Sequence, residues 1–320
     1  MEIDFPPEDD WLQAGKLPWR KVTCFDGWYD WITFDEESDM TARTMQAVSA
    51  NKILRKYAAV PSEHGSWVFL FSPLLIGITL GQAWNLEGLL LAVTALAGFM
   101  LRQPVTLLVK VFSWRRPRSD LAAGLFWAAV YALIGAVSFA LLASRGYGYL
   151  AYLAVPAVIT LAWHLWLVSQ RSERRQPGVE IIASGTLALA APAVYWISAG
   201  EVNTTGWWLW ALCWLQAANS IVYAYLRLNQ RVWKTTPDLR GKLKAAWRPI
   251  AYTTFSLAAV ATASGLGYLP RWIFLAFAVQ WIESLWGAVQ PAVGVKPTLI
   301  GFRQLIVSVI FTVVFLISWR

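Results

Sequence analysis

Charge is what this chain has least of. Of its 320 residues only 14% are Asp, Glu, Lys or Arg, where soluble domains carry about a quarter. Hydrophobic residues make up 57% and the mean hydropathy is +0.46, which excludes an ordinary soluble domain and points to a membrane protein. Cysteine is nearly absent. Cys24 and Cys213 are the only two, so neither a disulfide framework nor a cysteine metal site is expected. Histidine is as rare, with His64 and His164 alone. The N-terminus lacks a basic stretch followed by an apolar run, so a cleaved signal peptide is not expected. P-loop, dinucleotide-binding and nucleophile-elbow patterns are missing, and no nucleic-acid partner is expected.

What the chain does have falls into two parts. Residues 1–60 form an acidic, Trp-rich segment: eleven acids between Met1 and Met40 face Lys16, Arg20 and Lys21. This segment is short for an independent core. It reads as a partly ordered cytoplasmic tail or as a flap docking on a basic surface through its aromatics. Residues 1–40 are also where a membrane-protein partner could dock. A short helix over roughly 41–58 leads into residues 61–320, the transmembrane domain.

That domain contains nine apolar stretches near the ~20 residues needed to span a bilayer. They fall at about 66–84, 86–101, 121–143, 149–168, 179–199, 206–226, 248–268, 270–290 and 301–319. The second is short and is expected to continue past Pro104 as a kinked helix to Phe112. Many of the 21 Trp lie near span ends, the depth that indole favours. Trp207, Trp208 and Trp210 read as such interface anchors. Seventeen Lys and Arg fall in the loops after spans two, four, six and eight, and three (Arg145, Arg271, Arg320) on the other side. The positive-inside rule then puts the N-terminus in the cytoplasm and the C-terminus outside, which requires an odd number of spans. The fold class is an all-α integral protein of the inner, cytoplasmic membrane.

On this map the polar residues within the spans share one layer, the cytoplasmic half. Glu63 and His64 open span one within Pro61-Ser62-Glu63-His64-Gly65-Ser66-Trp67. His164 ends span four and Glu180 starts span five. Gln216 and Asn219 lie in span six, Gln280 and Glu283 in span eight, and Arg303 and Gln304 open span nine. Isolated charges in lipid are costly, so such groups pair or serve a site. Asn219, Tyr223, Arg227 and Arg231 recur every four residues, as do Arg102, Thr106 and Lys110. Each set forms one stripe on a helix. Two basic stripes beside a polar layer suit a phosphate, diphosphate or carboxylate. Each residue also has a plain structural role open to it. The stripes can be topology signals. Glu63 and His64 can cap a helix. Glu283 can pair with Arg303 or Lys296, and His164 can be a satisfied core histidine. A metal site from Glu63, His64, His164, Glu180 and Glu283 lacks any tight ligand spacing and is not expected.

The run Pro61–Trp67, followed by Phe71-Ser72-Pro73 and Gly77, resembles the opening of the YwiC-like membrane proteins. Their P-x-E-H-G-A-W signature is changed here only in Ser66 for alanine. Arg102-Gln103-Pro104 extends the likeness to about residue 118. That family carries no assigned chemistry to transfer. More distantly, the chain resembles the UbiA superfamily of membrane prenyltransferases. Nine helices, a cytoplasmic site and Tyr223-Ala224 carry that likeness. It implies an isoprenoid diphosphate held through magnesium by aspartate motifs after helices two and six. Here Arg227 and Arg231 stand at the second place, and Arg102 to Lys110, without an acid, at the first.

The expectation is therefore a UbiA-like bundle with a cytoplasm-facing cavity. It would bind an anionic or isoprenoid-type lipid directly through arginines, with Glu63 and His64 as the reactive pair and no cofactor identified. A transporter of a small anion or proton-coupled solute, and a non-catalytic subunit of a membrane complex, are the alternatives.

Overall fold

The computed structural model describes residues 56–61, 64–172 and 176–319, with the backbone alone at Lys56 and His64. These belong to one compact unit, Ala50–Arg320. The expected acidic flap, its docking and the side chains of Glu63 and His64 lie outside the described residues.

All regular structure among the described residues is helical. A single turn, α1 (Lys56–Ala59), and a 3-10 turn at His64–Trp67 precede α2 (Val68–Gly81) and α3 (Leu86–Phe112). Next come α4 (Leu121–Leu142), a bent connection through Leu153, and α5 (Ala154–Ser169). A rod broken at Leu189 forms α6 (Pro177–Ala188) and α7 (Ala190–Ala199). Then α8 (Thr204–Gln230), α9 (Leu239–Gly265), α10 (Phe274–Val289) and α11 (Pro297–Trp319) complete the bundle. With α6 and α7 taken as one rod, α2 to α11 correspond one for one to the nine apolar stretches.

Four stretches are long and apolar enough to cross a membrane: Leu86–Phe112, Arg118–Ser169, Pro177–Ala199 and Pro297–Trp319. The second contains α4 and α5. Its large apolar side chains point outward, with Leu133, Ile134, Val137, Leu141, Val158 and Ile159 all exposed. A face this apolar is tolerated in lipid and not in water. The chain is a membrane protein.

Local sequence explains the breaks. Three long helices start with the same device, an Asx cap three residues before a glycine. The side chains of Asn85, Asn203 and Asp238 accept from Gly88, Gly206 and Gly241 N–H at 3.0, 3.1 and 3.0 Å. Pro104 lies inside α3, which continues to Phe112 as expected. The fourth stretch turns at Gly146, at φ 97°, and its first residues, Gly148–Leu153, wind as a 3-10 helix, so its α-helix begins only at Ala154. Pro192 has no N–H for the Ala188 carbonyl, so the fifth rod breaks at Leu189. Leu189 N–H bonds back to Thr186 O, which leaves the Gly185 carbonyl to accept Trp210 Nε1 at 2.9 Å. Trp214 Nε1 likewise reaches Ile181 O at 2.7 Å. Trp210, expected as an interface anchor, thus staples α8 to α6, and Trp207 of the same run stays 40% exposed.

Cross-links show which loops share an end of the bundle. Arg145 Nη1 meets Glu87 Oε1 at 2.7 Å, joining the start of α3 to the bend after α4. Arg115 Nη1 reaches Val168 O at 2.6 Å, and Gly294 N–H reaches Arg231 O at 3.1 Å. The core centres on α2, which packs against α6, α7, α8 and α11.

Candidate functional site

A charged cluster sits where the end of α8, the end of α10 and the start of α11 meet. Helical spacing builds it. On α8, Tyr223, Arg227 and Gln230 lie on one face, with relative exposures of 0%, 6% and 0%. On α10, Glu283, Trp286, Gly287 and the cap residue Gln290 form the facing edge. Arg303 comes from the second turn of α11.

Arg303 grips the carboxylate with two bonds, Nε to Oε1 at 2.6 Å and Nη2 to Oε2 at 2.9 Å. Tyr223 donates its hydroxyl to the same Oε1 at 2.7 Å. Glu283 is thus held by three donors at 9% exposure, which answers the cost of burying a charge. Arg227 takes a different set of partners, all neutral. Its Nη1 donates to Gln230 Oε1 at 3.0 Å, Gly287 O at 3.1 Å and Gln290 O at 2.5 Å. The last two are carbonyls at the C-terminal end of α10, where a cation is favoured by the helix dipole. Gln230 locks the same end by donating to Gly287 O at 3.0 Å and accepting Ala292 N–H at 3.3 Å. Both guanidiniums stack on Trp286, Arg303 at 3.5 Å and Arg227 at 5.1 Å from the ring centroid. The cluster thus contains two guanidiniums and one carboxylate. Arg303 remains 42% exposed.

The described parts of the Pro61–Trp67 run, Pro61 and the His64–Trp67 turn, are flanked by fastened segments on both sides. Before it, α1 is clamped to α3 and α4. Tyr57 donates to Asp120 Oδ1 at 2.7 Å, Gln103 Nε2 to Tyr57 O at 2.8 Å and Tyr131 to Ala59 O at 2.9 Å. Gln103 of the Arg102-Gln103-Pro104 triplet is therefore a fastener for the chain that leads into the run. After it, α2 runs parallel to α11. Ser72 meets Thr312 at 2.5 Å, Val68 and Ser308 line one cavity, and Ile76 and Phe315 share one core. Before α2, the His64–Trp67 turn also packs on α11.

The residues expected from the sequence are thus sorted. Tyr223, Arg227, Glu283 and Arg303 come together. Asn219, higher on the α8 stripe, accepts from Ser256 Oγ at 3.1 Å. Arg231 caps α8 and offers its carbonyl to Gly294. Glu180 is exposed at the start of α6 and accepts Tyr225 Oη at 2.7 Å, apart from the cluster. Arg102 and Lys110 lie on α3, His164 on α5. Gln230 and Trp286 were not foreseen. Their signal was present: each stands three residues beyond a foreseen one, Arg227 and Glu283, on the same helix face. Among the described residues, no three His, Cys, Asp or Glu cluster as metal ligands would.

Comparison with known proteins agrees with the first of the two resemblances. Residues 60–195 match the model of the family described as YwiC-like protein. The match runs from the clamp through most of α7 and leaves the charged cluster outside it. No curated protein and no solved structure matches the chain.

Proposed function

We propose that this membrane protein, YwiC-like over residues 60–195, crosses the membrane nine times and binds an anionic lipid headgroup at the Arg303 end of its bundle. The observation that carries the reading is the charge count of the cluster. Two guanidiniums share one indole and one carboxylate, and the exposed one is the arginine already oriented by Glu283. Its Nε and one Nη2 hydrogen are spent on Glu283, and three N–H remain for an outside acceptor. A guanidinium held flat in this way suits bidentate contact with phosphate. In a bilayer the phosphates at hand are those of lipid headgroups. Phe302, exposed beside Arg303, offers an apolar surface for the chain below the headgroup.

The isoprenoid form of this reading, a divergent relative of the prenyltransferases, replaces magnesium by arginine at the diphosphate. Glu63 and His64 would supply any reactive group. The one carboxylate of the cluster, Glu283, is taken up by Arg303 and Tyr223, which supports direct capture of the anion by arginine.

Nanodisc-reconstituted protein titrated with farnesyl diphosphate in one arm and phosphatidylglycerol in the other tests it, with phosphatidylcholine as control. Saturable binding of either anion that is lost in Arg303→Gln, while the variant still melts cooperatively as a folded protein at a lowered temperature, is the expected result. Farnesyl diphosphate binding without phosphatidylglycerol binding selects the isoprenoid form. Equal affinity of wild type and Arg303→Gln for both anions overturns the reading.

A further inference from the structure

The polar residues of α8, α10 and α11 do not stop at the charged cluster. They continue up the bundle as a seam whose members are buried except at its lower end, at Gln290 and Arg303. On α8 the seam runs through Gln230, Arg227, Tyr223, Ser220, Asn219 and Gln216, each at 6% exposure or less. On α10 it follows Gln290, Glu283, Ser284 and Gln280, and on α11 Arg303, Gln304, Ser308 and Thr312. From Gln230 to Gln216 the seam rises roughly 21 Å at 1.5 Å per residue, against about 30 Å for the hydrocarbon core of a bilayer.

Its inner contacts are few. Ser220 donates to Gln304 Oε1 at 2.9 Å, and Gln216 Nε2 reaches Gln280 Oε1 only at 3.4 Å. Ser284 Oγ, Gln280 Nε2, Gln216 Oε1, Asn219 Nδ2 and Gln304 Nε2 have no hydrogen-bond partner among the described residues, although all are out of contact with bulk solvent. Only one other described side-chain atom, Thr106 Oγ1, shares that state. Five of six such atoms on one seam is not scatter. Buried polar groups are satisfied by protein or by ordered water, and the mixture of four amides and a hydroxyl needs a ligand that both donates and accepts. Swapping the amide oxygen and nitrogen of Gln216 and Gln280 together leaves the same need, since one orphan donor and one orphan acceptor remain.

Room exists at the upper end. A cavity of about 20 Å³ opens between α2, α8 and α11, lined among others by Ser72, Gln216, Ser220, Ser308, Cys213 and Phe311. That volume exceeds the ~10–15 Å³ that one water requires, and its hydroxyls and amide provide the two to four partners a buried water takes. Above it the seam closes. Leu209, Leu212, Ile76 and Phe315, all at 1% exposure or less, form one apolar core. Below it, the half-exposed Arg303 and the exposed Gln290 form the mouth.

We propose that the seam between α8, α10 and α11 is a water-filled half-channel, open at the Glu283–Arg303 end and dead-ended at Cys213 and Phe311. Water is its ligand. The enclosed water connects Glu283 and Tyr223 by exchangeable hydrogen bonds to the middle of the bundle, where the packing is otherwise apolar. The proposal does not depend on anion binding at Arg303, and either can fail alone.

X-ray hydroxyl-radical footprinting of the full chain in nanodiscs tests the water. Phe311 and Phe315 are equally buried, at 1% and 0%, but only Phe311 lines the cavity. Phe311 is expected to be oxidised several-fold faster than Phe315, and the excess to vanish in Ser220→Val/Ser308→Val. Equal, low labelling of the two rings overturns the proposal without recourse to any variant. Infrared S–H to S–D exchange of Cys213, in a Cys24→Ser background, tests the open mouth. Exchange within minutes of transfer to D₂O is expected, and protection over hours overturns the connection to bulk solvent.

Discussion

Arg303 meets both oxygens of Glu283, at 2.6 and 2.9 Å, while its guanidinium lies 3.5 Å over the Trp286 ring. Each partner fixes the other. The carboxylate is buried on α10 and tolerable only because it is paired. The arginine is half-exposed on α11 and orderly only because it is paired. Trp286, three residues from Glu283 on the same helix face, then sets the plane of the pair. The result is a cation of fixed orientation at the rim of a buried polar seam.

Breaking this pair costs stability in a way that a double-mutant cycle resolves. Glu283→Gln keeps the shape but leaves two guanidiniums facing each other over Trp286. The expected loss is about 1–3 kcal/mol, below the 3–5 of a fully buried pair because Arg303 is 42% exposed. Arg303→Gln strands a buried carboxylate and is expected to lose as much. The double variant should recover part of the sum, with a coupling above about 0.5 kcal/mol. Melting in detergent followed by tryptophan fluorescence reads all three, and strictly additive losses would sink the pairing.

Some of this was readable from residues alone. Nine apolar stretches correspond to the helical rods, and Pro104 inside a continued α3 was foreseen because Val105–Phe112 stays apolar. The four-residue spacing of Asn219, Tyr223, Arg227 and Arg231 gave a true face of α8. A face does not name the helix opposite, however. Glu283 had Arg303 and Lys296 as equal candidates, and only the packing of α10 on α11 selects Arg303. Arg227 read as part of an anion-binding stripe or as a topology signal, and its partners among the backbone carbonyls of α10 leave no trace in side-chain chemistry. Gln230 was overlooked for the same reason. The broken rod at Leu189 needed the Pro192 rule applied four residues upstream.

Two glycines give opposite signs for one substitution. A methyl group on Gly287 would fall 2.3 Å from Tyr223 Oη and 2.5 Å from its ring. Tyr223 is fully buried and cannot swing away, so Gly287→Ala is expected to cost about 1–3 kcal/mol and to weaken the hydroxyl's hold on Glu283. A methyl group on Gly98, within α3, meets nothing inside 4 Å, so Gly98→Ala is expected to gain about 0.5–1 kcal/mol of helix stability. The paired melting temperatures check it. A neutral Gly287→Ala contradicts the packing of α8 on α10.

The clamp on α1 is expected to depend on Asp120. Its carboxylate is 3% exposed and accepts from Tyr57, with Arg116 at 3.7 Å. Asp120→Ala removes the buried carboxylate to which Tyr57 donates, at about 1–3 kcal/mol, and loosens the chain that leads into the Pro61–Trp67 run. Faster tryptic cleavage at Lys56 in Asp120→Ala, with the rest of the chain still protected, is the expected reading. An unchanged cleavage rate would place the anchor elsewhere, on Gln103 or Tyr131.

Orientation in the membrane follows from which loops share an end. Arg115 joined to Val168 and Arg231 joined to Gly294 tie together loops rich in Lys and Arg. Arg145 joined to Glu87 marks loops with few. The positive-inside rule would put the first set in the cytoplasm, and labelling tests that proposed orientation. In a Cys24→Ser/Cys213→Ser background, Thr235→Cys is therefore expected to react with an impermeant maleimide only after the membrane is opened. Glu201→Cys, exposed at the opposite end, should react in intact cells. With the nine crossings proposed above, the chain would end on the side opposite its start, so a reporter fused after Arg320 should be active only outside. The reverse labelling of Thr235→Cys and Glu201→Cys would turn the whole bundle over and move the Arg303 rim to the outer leaflet. Labelling of both positions from one side would break the alternation that the nine rods require.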